Sequence, residues 1–367
     1  GIQTYFLSKA IGYLIRILIF SIDNSTLDQE IFLTFLLGLN IIDWISFIFV
    51  IIFQALMFSV GIQFNKKLIN ISAIVVYTGM ILFFFSIFLS DVKVTSKAFI
   101  DILNYKNFLD ISNIVPLLTV AGTIFAYFSI IIISFGDFSR YVKDEDNLKK
   151  GNLSLILNLV IFSFFAVFIV IGSDAFLNQK FEDINRIFTN PTDIIGKFDN
   201  LQITTIVLFF IIVGSASTNL VANFIPSQYS LINFMPTSLT LKSASYTISI
   251  IGFVIGVFWL TFLSQIGILS LIDTFGSFFG PIFGVIIVDY YLIKESNLSN
   301  KDLYLPESKS IYYYSNGWHI KAIYSLTLGF IFSASTIWNV NLMFLQSYAW
   351  IIGAIVSSLT YYLLAKK

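Results

Sequence analysis

The chain has 367 residues and a formal net charge of +0, with 57% hydrophobic and only 11% charged residues. Because soluble domains carry about 25% charged residues, this composition indicates a membrane protein. The balanced charge argues against a nucleic-acid partner, and the absence of cysteine excludes disulfides and thiolate metal sites.

About ten apolar stretches follow one another along the chain, each near the length of roughly 20 residues that crosses a bilayer core as a helix. They predict an all-α, polytopic membrane helix bundle that forms a single transmembrane domain over residues 1–367, with the lipid bilayer as its surroundings. We place the stretches near residues 1–20, 42–62, 68–90, 113–139, 153–176, 201–225, 244–263, 266–293, 318–338 and 344–365.

The first stretch contains Lys9 well inside an apolar segment. A charged side chain within a membrane span is costly, so Lys9 is a candidate proton or charge site. Two other interpretations stay open: the ammonium can extend to the membrane surface, or it can pair with a carboxylate.

The sixth stretch ends in the polar sequence "GSASTNLVANFIP", residues 214–226. On an α-helix that turns 100° per residue, Val213, Leu220 and Phe224 share one face, and that face suits lipid. The polar residues fall on the other faces, which must point into the bundle because unpaired amides are costly in lipid.

Two groups of polar residues stand out within this sequence. Gly214, Ser217 and Thr218 combine two hydroxyls with backbone carbonyls, a hard-oxygen set suited to a small cation. Asn219 and Asn223, one turn apart, supply donors and acceptors for a planar heterocycle. For Gly214, close packing of helices explains the residue equally well.

The last three stretches carry few candidate groups. The sequence "FGSFFGPIFG", residues 275–284, predicts close helix packing, with Gly280 and Pro281 as a candidate flexible point. His319 is the only histidine and stands at the start of a span. No carboxylate stands out in the midplane of the spans.

Basic residues flank the spans unevenly, which predicts the orientation of the chain. If the spans alternate, one side of the membrane collects most of them, and the positive-inside rule makes that side and the C-terminus cytoplasmic. These residues are Lys66, Lys67, Arg140, Lys143, Lys149, Lys150, Lys294, Lys301, Lys309, Lys366 and Lys367.

Several motifs in order resemble the nucleobase-cation symporter-1 family of hydantoin, allantoin, cytosine and uracil permeases. "STNLVAN" with "IPSQYSLINFMP" is similar to the eighth span of that family and the loop after it, and "GIQTYF" at Gly1 is similar to the third span. "GDFSRYVK" resembles the cytoplasmic end of the sixth span, "FGSFFGPIFGVIIVDYYLIK" resembles the tenth span, and "YYYSNGWHIKA" resembles the sequence before the eleventh. The likeness covers nearly the whole chain.

The resemblance implies an inverted five-helix-repeat transporter fold of the amino-acid/sodium symporter type, with two additional helices. Substrate and ion then bind near the midplane, between broken helices and their neighbours. In that scheme the chain holds about ten of twelve spans, numbers three to twelve, and its start at Gly1 is expected to be that of a fragment.

The resemblance also assigns individual residues. Gln3 and Asn223 match the amides that bond the substrate ring, and Asn219 lies one turn before Asn223. Phe128 matches a tryptophan that stacks on the substrate in many members, whereas Tyr127 replaces a small residue and leaves the identity of the ring open. Gly214, Ser217 and Thr218 match the eighth-span part of the sodium site of the family.

The implied function is secondary active transport: import of a nucleobase or related cyclic amide (uracil, cytosine, allantoin or hydantoin) by cation symport with alternating access. Sodium is the expected coupling ion and the proton is the alternative. We expect a monomer in the plasma (inner) membrane, with no cofactor and no enzymatic activity. The other interpretations are a truncated copy that transports nothing, a membrane-embedded enzyme, and a channel.

Overall fold

The computed structural model describes residues 1–60, 62–104, 110–180, 188–198, 200–263, 265, 267–303, 305 and 307–366. It is 83% helical, and the described ranges contain no β-strand. The α-helices are α1 (Ile2–Ile22), α2 (Glu30–Leu33), α3 (Ile41–Ser59), α4 (Ile62–Ser90), α5 (Val92–Leu103), α6 (Ile114–Ile133), α7 (Phe135–Ser139), α8 (Glu145–Lys180), α9 (Pro191–Ile195), α10 (Leu201–Thr218), α11 (Ile225–Phe234), α12 (Leu241–Phe258), α13 (Ile268–Val288), α14 (Asn300–Leu303), α15 (Ile320–Trp338) and α16 (Ala349–Ala365).

Shorter helical segments of other types join these elements. Three π-helical segments continue α10, α12 and α13 directly, at Asn219–Phe224, Trp259–Leu263 and Asp289–Ile293. The 3₁₀ segments are Asn24–Asp28, Ile111–Asn113 and Val340–Tyr348. A π-turn holds one residue more than an α-turn, so side chains beyond it point in different directions from those that α-helical spacing predicts.

Ten helices in the described part of the chain are long and apolar enough to cross a membrane, as the sequence predicts. The helix α8 begins earlier than expected, at Glu145 rather than near residue 153, because polar residues can continue a helix beyond the bilayer. A further helix, α5, lies between two predicted spans. Its N-cap is Asp91, whose carboxylate accepts hydrogen bonds from the backbone of Lys93 and Val94 over 3.1 Å.

The residues form two compact units, and the first comprises Gly1–Asn107 and Ser139–Gln265. In this unit α1 packs against α3, α10 and α12, while α4 packs against α8 and α10. A buried apolar cluster joins α1, α4, α8, α9 and α10: Ala10, Phe83, Ile87, Ile169, Ile194, Ile195, Val207 and Leu208. Because lipid tails are as apolar as these side chains, the cluster stabilises the unit mainly through close van der Waals packing.

The second unit comprises Phe108–Phe138 and Ile266–Lys367. Its central helix is α13, which packs on α6, α15 and α16. A methyl group added to Gly276 would meet Ala126, and one added to Gly280 would collide with the carbonyl oxygen of Trp350. These glycines therefore allow the helices to approach closely, as the sequence predicts. The single domain over residues 1–367 stays a prediction.

The proline of α13, Pro281, is closely packed by neighbouring helices. Its neighbours are Gly329 and Gly353, whose added methyl groups would both meet the Pro281 ring. The Pro281 carbonyl accepts a hydrogen bond from Ser357 Oγ over 2.9 Å. This hydrogen bond ties the backbone of α13 at Pro281 to α16.

Candidate functional site

The polar end of α10 continues into the π-helical segment Asn219–Phe224, whose buried residues are Asn219, Leu220 and Phe224. Leu220 and Phe224 are only 1% and 6% exposed, and they pack against Phe58. The expectation that they share a lipid-facing side with Val213 is therefore wrong. The error comes from the assumption that an apolar face of a span meets lipid, because here that face packs against Phe58 of α3.

The amides of this segment form one hydrogen-bonded network with α1 and α3. Asn223 Nδ2 donates to Asn219 Oδ1 over 2.9 Å and also to Gln3 Oε1. Asn219 Nδ2 in turn donates to Thr4 Oγ1 over 3.1 Å and to Gln54 Oε1 over 3.0 Å. The network thus joins the three predicted substrate residues Gln3, Asn219 and Asn223.

Gln54 is a member of this network that sequence reasoning missed. It lies in α3, is 4% exposed, and its Oε1 also accepts a hydrogen bond from Thr4 Oγ1 over 3.3 Å. Its Nε2 is buried and has no hydrogen-bond partner among the described residues. The available signal was an amide within the apolar sequence "FVIIFQALMF", because polar groups inside spans usually have partners or functions.

The network changes from buried to open along its length. Asn219 and Thr4 are buried, Gln3 is partly buried, and Asn223 is exposed. Gln3 Nε2 also lies 3.5 Å from the carbonyl oxygen of Ser215, which ties α1 to α10. The open end therefore presents the Gln3 and Asn223 amides, and the closed end fixes their orientation through Asn219.

The predicted cation ligands lie next to this network on α10. Ser217 is buried and its Oγ donates to the Gly214 carbonyl oxygen over 3.0 Å, whereas Thr218 is exposed. This is the local bond that serines in helices often make to a carbonyl one turn earlier, and the role of Gly214, Ser217 and Thr218 as cation ligands stays a prediction. Oxygen ligands of this kind suit hard cations.

A cavity of about 330 Å³ opens beside these residues, within the first unit. Its walls are mostly apolar side chains of α4, α8 and α10, and its polar lining includes Gln3, Ser215 and Thr218. Small-molecule sites are typically of this kind, with apolar walls and a few polar groups that set orientation. The cavity joins one predicted substrate residue to two predicted ion residues, because Gly214 also lines it.

Tyr127 and Phe128 belong to the second unit, on α6. Tyr127 is exposed and Phe128 is partly buried. Their rings meet edge to face with centroids 5.2 Å apart, an arrangement that aromatic pairs favour. Their role in stacking on a substrate stays a prediction.

Lys9 lies in the middle of α1 and is partly buried. Its ammonium nitrogen is 5.6 Å from the centroid of the Tyr5 ring, and Tyr5 is 2% exposed. A cation over an aromatic face is stabilised by about 0.5–1 kcal/mol, more when it is away from water. This contact gives Lys9 a structural partner, and its role as a proton or charge site stays a prediction.

A second polar cluster lies at the C-terminal end of α13, in the second unit. Asp289 receives hydrogen bonds from Lys294 Nζ and from Tyr361 OH, both over 2.6 Å. Burial lowers the pKa of Lys294, but the hydrogen bonds to Asp289 and Tyr314 outweigh this effect and raise it above its usual value. The cluster therefore supports local ion pairing at the end of a span.

His319 joins the same cluster from the start of α15. Its Nε2 is 2.8 Å from Tyr361 OH, and its ring stacks on Tyr314. Partial burial is the main reason that the pKa of His319 is lowered, and nearby Lys294 and Lys321 lower it further against the opposing effect of Asp289. The neutral imidazole is the favoured form in the folded protein.

Comparison with known families gives one match over almost the whole chain. A family described as "Permease for cytosine/purines, uracil, thiamine, allantoin" matches residues 1–356. Curated relatives include the purine-uracil permease NCS1 of Arabidopsis thaliana, 26% identical over 56% of this chain and 33% of that protein. The allantoin permease of Bacillus subtilis is 24% identical over 64% of this chain and 46% of that protein. The chain thus spans less than half the length of these relatives.

Solved structures give a match of the fold. The chain is similar to Mhp1, a nucleobase-cation-symport-1 family transporter in a closed conformation with bromovinylhydantoin bound, with a TM-score of 0.67 and 16% identity over 99% of this chain and 71% of that one. The inward-facing conformation of Mhp1 matches with a TM-score of 0.61. The predicted inverted-repeat transporter fold is confirmed.

Proposed function

The chain belongs to the family of permeases for cytosine/purines, uracil, thiamine and allantoin, and from this membership we propose that it imports a nucleobase or related cyclic amide by cation symport with alternating access. Members of this family are permeases, so the chain is a transporter-family membrane protein and not an enzyme. The candidate substrates are uracil, cytosine, allantoin and hydantoin.

The observation that carries the proposal is the contact between Asn223 Nδ2 and Gln3 Oε1 at the open end of the amide network. A cyclic amide places a ring N–H beside a C=O. Such a ring can insert between the two amides and replace their hydrogen bond with two others. Gln3 Oε1 then accepts from the ring N–H, and Asn223 Nδ2 donates to the ring carbonyl. Asn219 holds Asn223 in place by accepting its other hydrogen bond.

Stacking on an aromatic ring would complete recognition of a planar substrate. We assign this role to Phe128, with Tyr127 limiting the size of the ring that is accepted. A phenyl ring stacks with less area than an indole and offers no N–H, so selectivity would depend more on the amides.

The coupling cation binds at Gly214, Ser217 and Thr218 in this proposal. Binding of sodium would break the hydrogen bond between Ser217 Oγ and the Gly214 carbonyl, so both oxygens can ligate the ion. Because the α10 residues that bind the ion lead directly into the amides that bind the substrate, occupancy of one site favours occupancy of the other. Sodium is the favoured ion, and the proton is the alternative.

The protein is expected to act as a monomer in the plasma (inner) membrane, with the C-terminus in the cytoplasm and spans three to twelve of the family scheme in this chain. Lys9 has no step of its own in this mechanism. It stays a candidate charge site whose contact with Tyr5 explains its position equally well.

Uptake into liposomes tests the proposal. The full-length protein is reconstituted, and radiolabelled uracil, cytosine, allantoin and a hydantoin are offered under a sodium gradient or a proton gradient. We expect one ring to accumulate under the sodium gradient, and we expect Asn223→Ala to lower uptake at least tenfold. Asn233→Ala, an exposed amide on α11, serves as the matched control and should transport normally.

Three outcomes would contradict the proposal. If a folded protein accumulates no ring under either gradient, it does not transport these substrates and has another activity. Accumulation of ions without any substrate would indicate a channel. If Asn223→Ala transports as well as Asn233→Ala, the amide network is not the substrate site.

A further inference from the structure

Asp273 is a buried carboxylate that the proposed mechanism does not use. It lies in the second turn of α13, within the candidate span Ser270–Ile293, and is 3% exposed. An ionisable residue buried inside a membrane protein is costly, and such residues usually serve a function.

The partners of Asp273 are neutral groups of the second unit. Gln346 Nε2 donates to Asp273 Oδ2 over 3.1 Å and lies 3.3 Å from Ser270 Oγ. The Thr123 hydroxyl of α6 faces the same carboxyl. The other carboxylate oxygen, Oδ1, is buried and has no hydrogen bond of normal geometry among the described residues. The Thr123 hydroxyl is therefore the nearest available partner for Oδ1, and the carboxylate lacks a full set of donors.

Among the described residues, no charged side chain compensates Asp273. The helices packed against α13 are α6, α15 and α16, and the segment Val340–Tyr348 contacts it through Gln346. Their titratable groups are Tyr127 and Tyr348, which are tyrosines, and a set near the other end of α13: Lys321, Tyr324, Tyr361 and Tyr362. Asp289, which bonds Tyr361, is 16 residues from Asp273 along the helix, or roughly 24 Å at 1.5 Å per residue.

An ionised carboxylate in this position lacks both a counter-charge and a full set of donors. Burying such a group costs several kcal/mol, and neutralising it removes most of that cost. We propose that Asp273 is a proton-binding site: it takes a proton from water when it is exposed and holds it, as a neutral carboxyl, in the buried arrangement of this structure. The new O–H then donates to a neighbouring hydroxyl oxygen, for which Thr123 is placed.

A consequence for transport rests on the proposed function. If Asp273 must be neutral to be buried, then each passage through the buried arrangement requires a bound proton. A change that opens the packing between α13 and α6 would expose the carboxyl to water and release the proton. Uptake would then depend on pH through Asp273, whether or not sodium is the ion bound at Ser217 and Thr218.

Infrared difference spectroscopy tests the proton site without any transport. The full-length protein in lipid nanodiscs is recorded at about pH 7, where exposed aspartates, with pKa values of about 3.9, are ionised. We expect a C=O stretching band from one protonated carboxyl. Asp273→Asn should lose this band, and Asp28→Asn, an exposed matched control, should keep it.

A second variant keeps the test decisive if Asp273→Asn does not fold. Gln346→Leu removes the donor that favours the ionised form, so the band should persist to a higher pH than in the parent protein. Absence of the band at about pH 7 in the parent protein, or its survival in Asp273→Asn, would overturn the proposal.

Uptake measurements then separate this proposal from the proposed function. In the parent protein, transport should fall severalfold as the pH rises from about 6 to about 8, and Asp273→Asn, which resembles the neutral form, should show a flat profile. If no substrate is transported but the infrared band behaves as expected, the proton site stands and the proposed function fails. If transport occurs with the same pH profile in both proteins, the role of Asp273 in transport is refuted.

Discussion

Asn219 Nδ2 donates to Gln54 Oε1 over 3.0 Å, and both side chains are buried. We expect Gln54→Leu to lower substrate affinity about fivefold to tenfold, the effect of losing a hydrogen bond worth roughly 1 kcal/mol. Without this bond the Asn219 amide can rotate, and the Asn223 amide that is bonded to it is no longer held in position. The fold should remain stable, since Gln54 brings its own unpaired buried donor, Nε2, which leucine lacks. Half-saturating substrate concentration for uptake is the measurement.

A matched control for this substitution is Gln202→Leu, which changes an exposed glutamine at the start of α10. It should bind substrate as the parent protein does. Equal affinity of both variants would show that the buried end of the network does not position the open end.

The Thr218 hydroxyl provides a direct test of the cation site. We expect Thr218→Val, which keeps the shape of the side chain, to raise the half-saturating sodium concentration about tenfold, the effect of losing about 1.4 kcal/mol of ion binding. Thr205→Val is the control, because it makes the same change at an exposed threonine of the same helix outside the cavity. The measurement is uptake as a function of sodium concentration. Identical curves for Thr218→Val and Thr205→Val would contradict the assignment of Thr218 to the cation site.

The lowered pKa of His319 predicts a dependence of stability on pH. Below about pH 6.5 the unfolded chain binds a proton at this imidazole while the folded protein resists it. The stability from neutral His319 is therefore present above that pH and is lost as the pH falls toward the lower pKa of the folded state. The apparent melting temperature is followed by tryptophan fluorescence between about pH 5 and 7.5. As the pH decreases, this temperature should fall less steeply in His319→Gln than in the parent protein.

A parallel pH series with Lys242→Gln, an exposed basic residue at the start of α12, serves as the comparison. It should retain the slope of the parent protein. The assignment to His319 is wrong if His319→Gln retains that slope as well.

Close packing of α13 predicts opposite effects for two glycine substitutions. Gly280→Ala should destabilise the protein by about 1–3 kcal/mol, because the added methyl group collides with the Trp350 carbonyl and the helices must move apart. Gly151→Ala should be neutral or stabilising by up to about 1 kcal/mol, since it lies in a helix with nothing within 4 Å of the added methyl. Apparent melting temperatures in detergent compare the two, and a similar value for both would contradict this account.

Apolar length alone was enough to predict the ten spans, because a bilayer core requires about 20 residues without charge. It could not predict where α8 begins, since Glu145 and its polar neighbours continue the helix outside the apolar stretch. Hydropathy indicates which part of a helix lies in the bilayer, whereas backbone hydrogen bonds determine where the helix begins and ends.

The candidate site was predictable in part. Asn219 and Asn223 stood out as amides in an apolar segment, and the structure joins them to Gln3. The burial of Leu220 and Phe224 was not predictable, because it depends on packing against Phe58 of another helix, and hydropathy does not distinguish a face that meets lipid from one that meets a neighbouring helix. Gln54 was visible by the same rule as the asparagines, and only its contacts identify its role.

The π-turn of Asn219–Phe224 also affects how this chain is compared with its relatives. Such a turn is in effect a one-residue insertion inside a continuous helix. Removing one residue there would restore α geometry, and Asn223 would then follow Asn219 by three α-helical residues instead of by four residues of the wider turn. An alignment with a relative that lacks the insertion therefore needs a one-residue gap within Asn219–Phe224. A gain or loss of a single codon at this point would change the spacing at which the Asn219 and Asn223 amides hydrogen-bond, without substituting either residue.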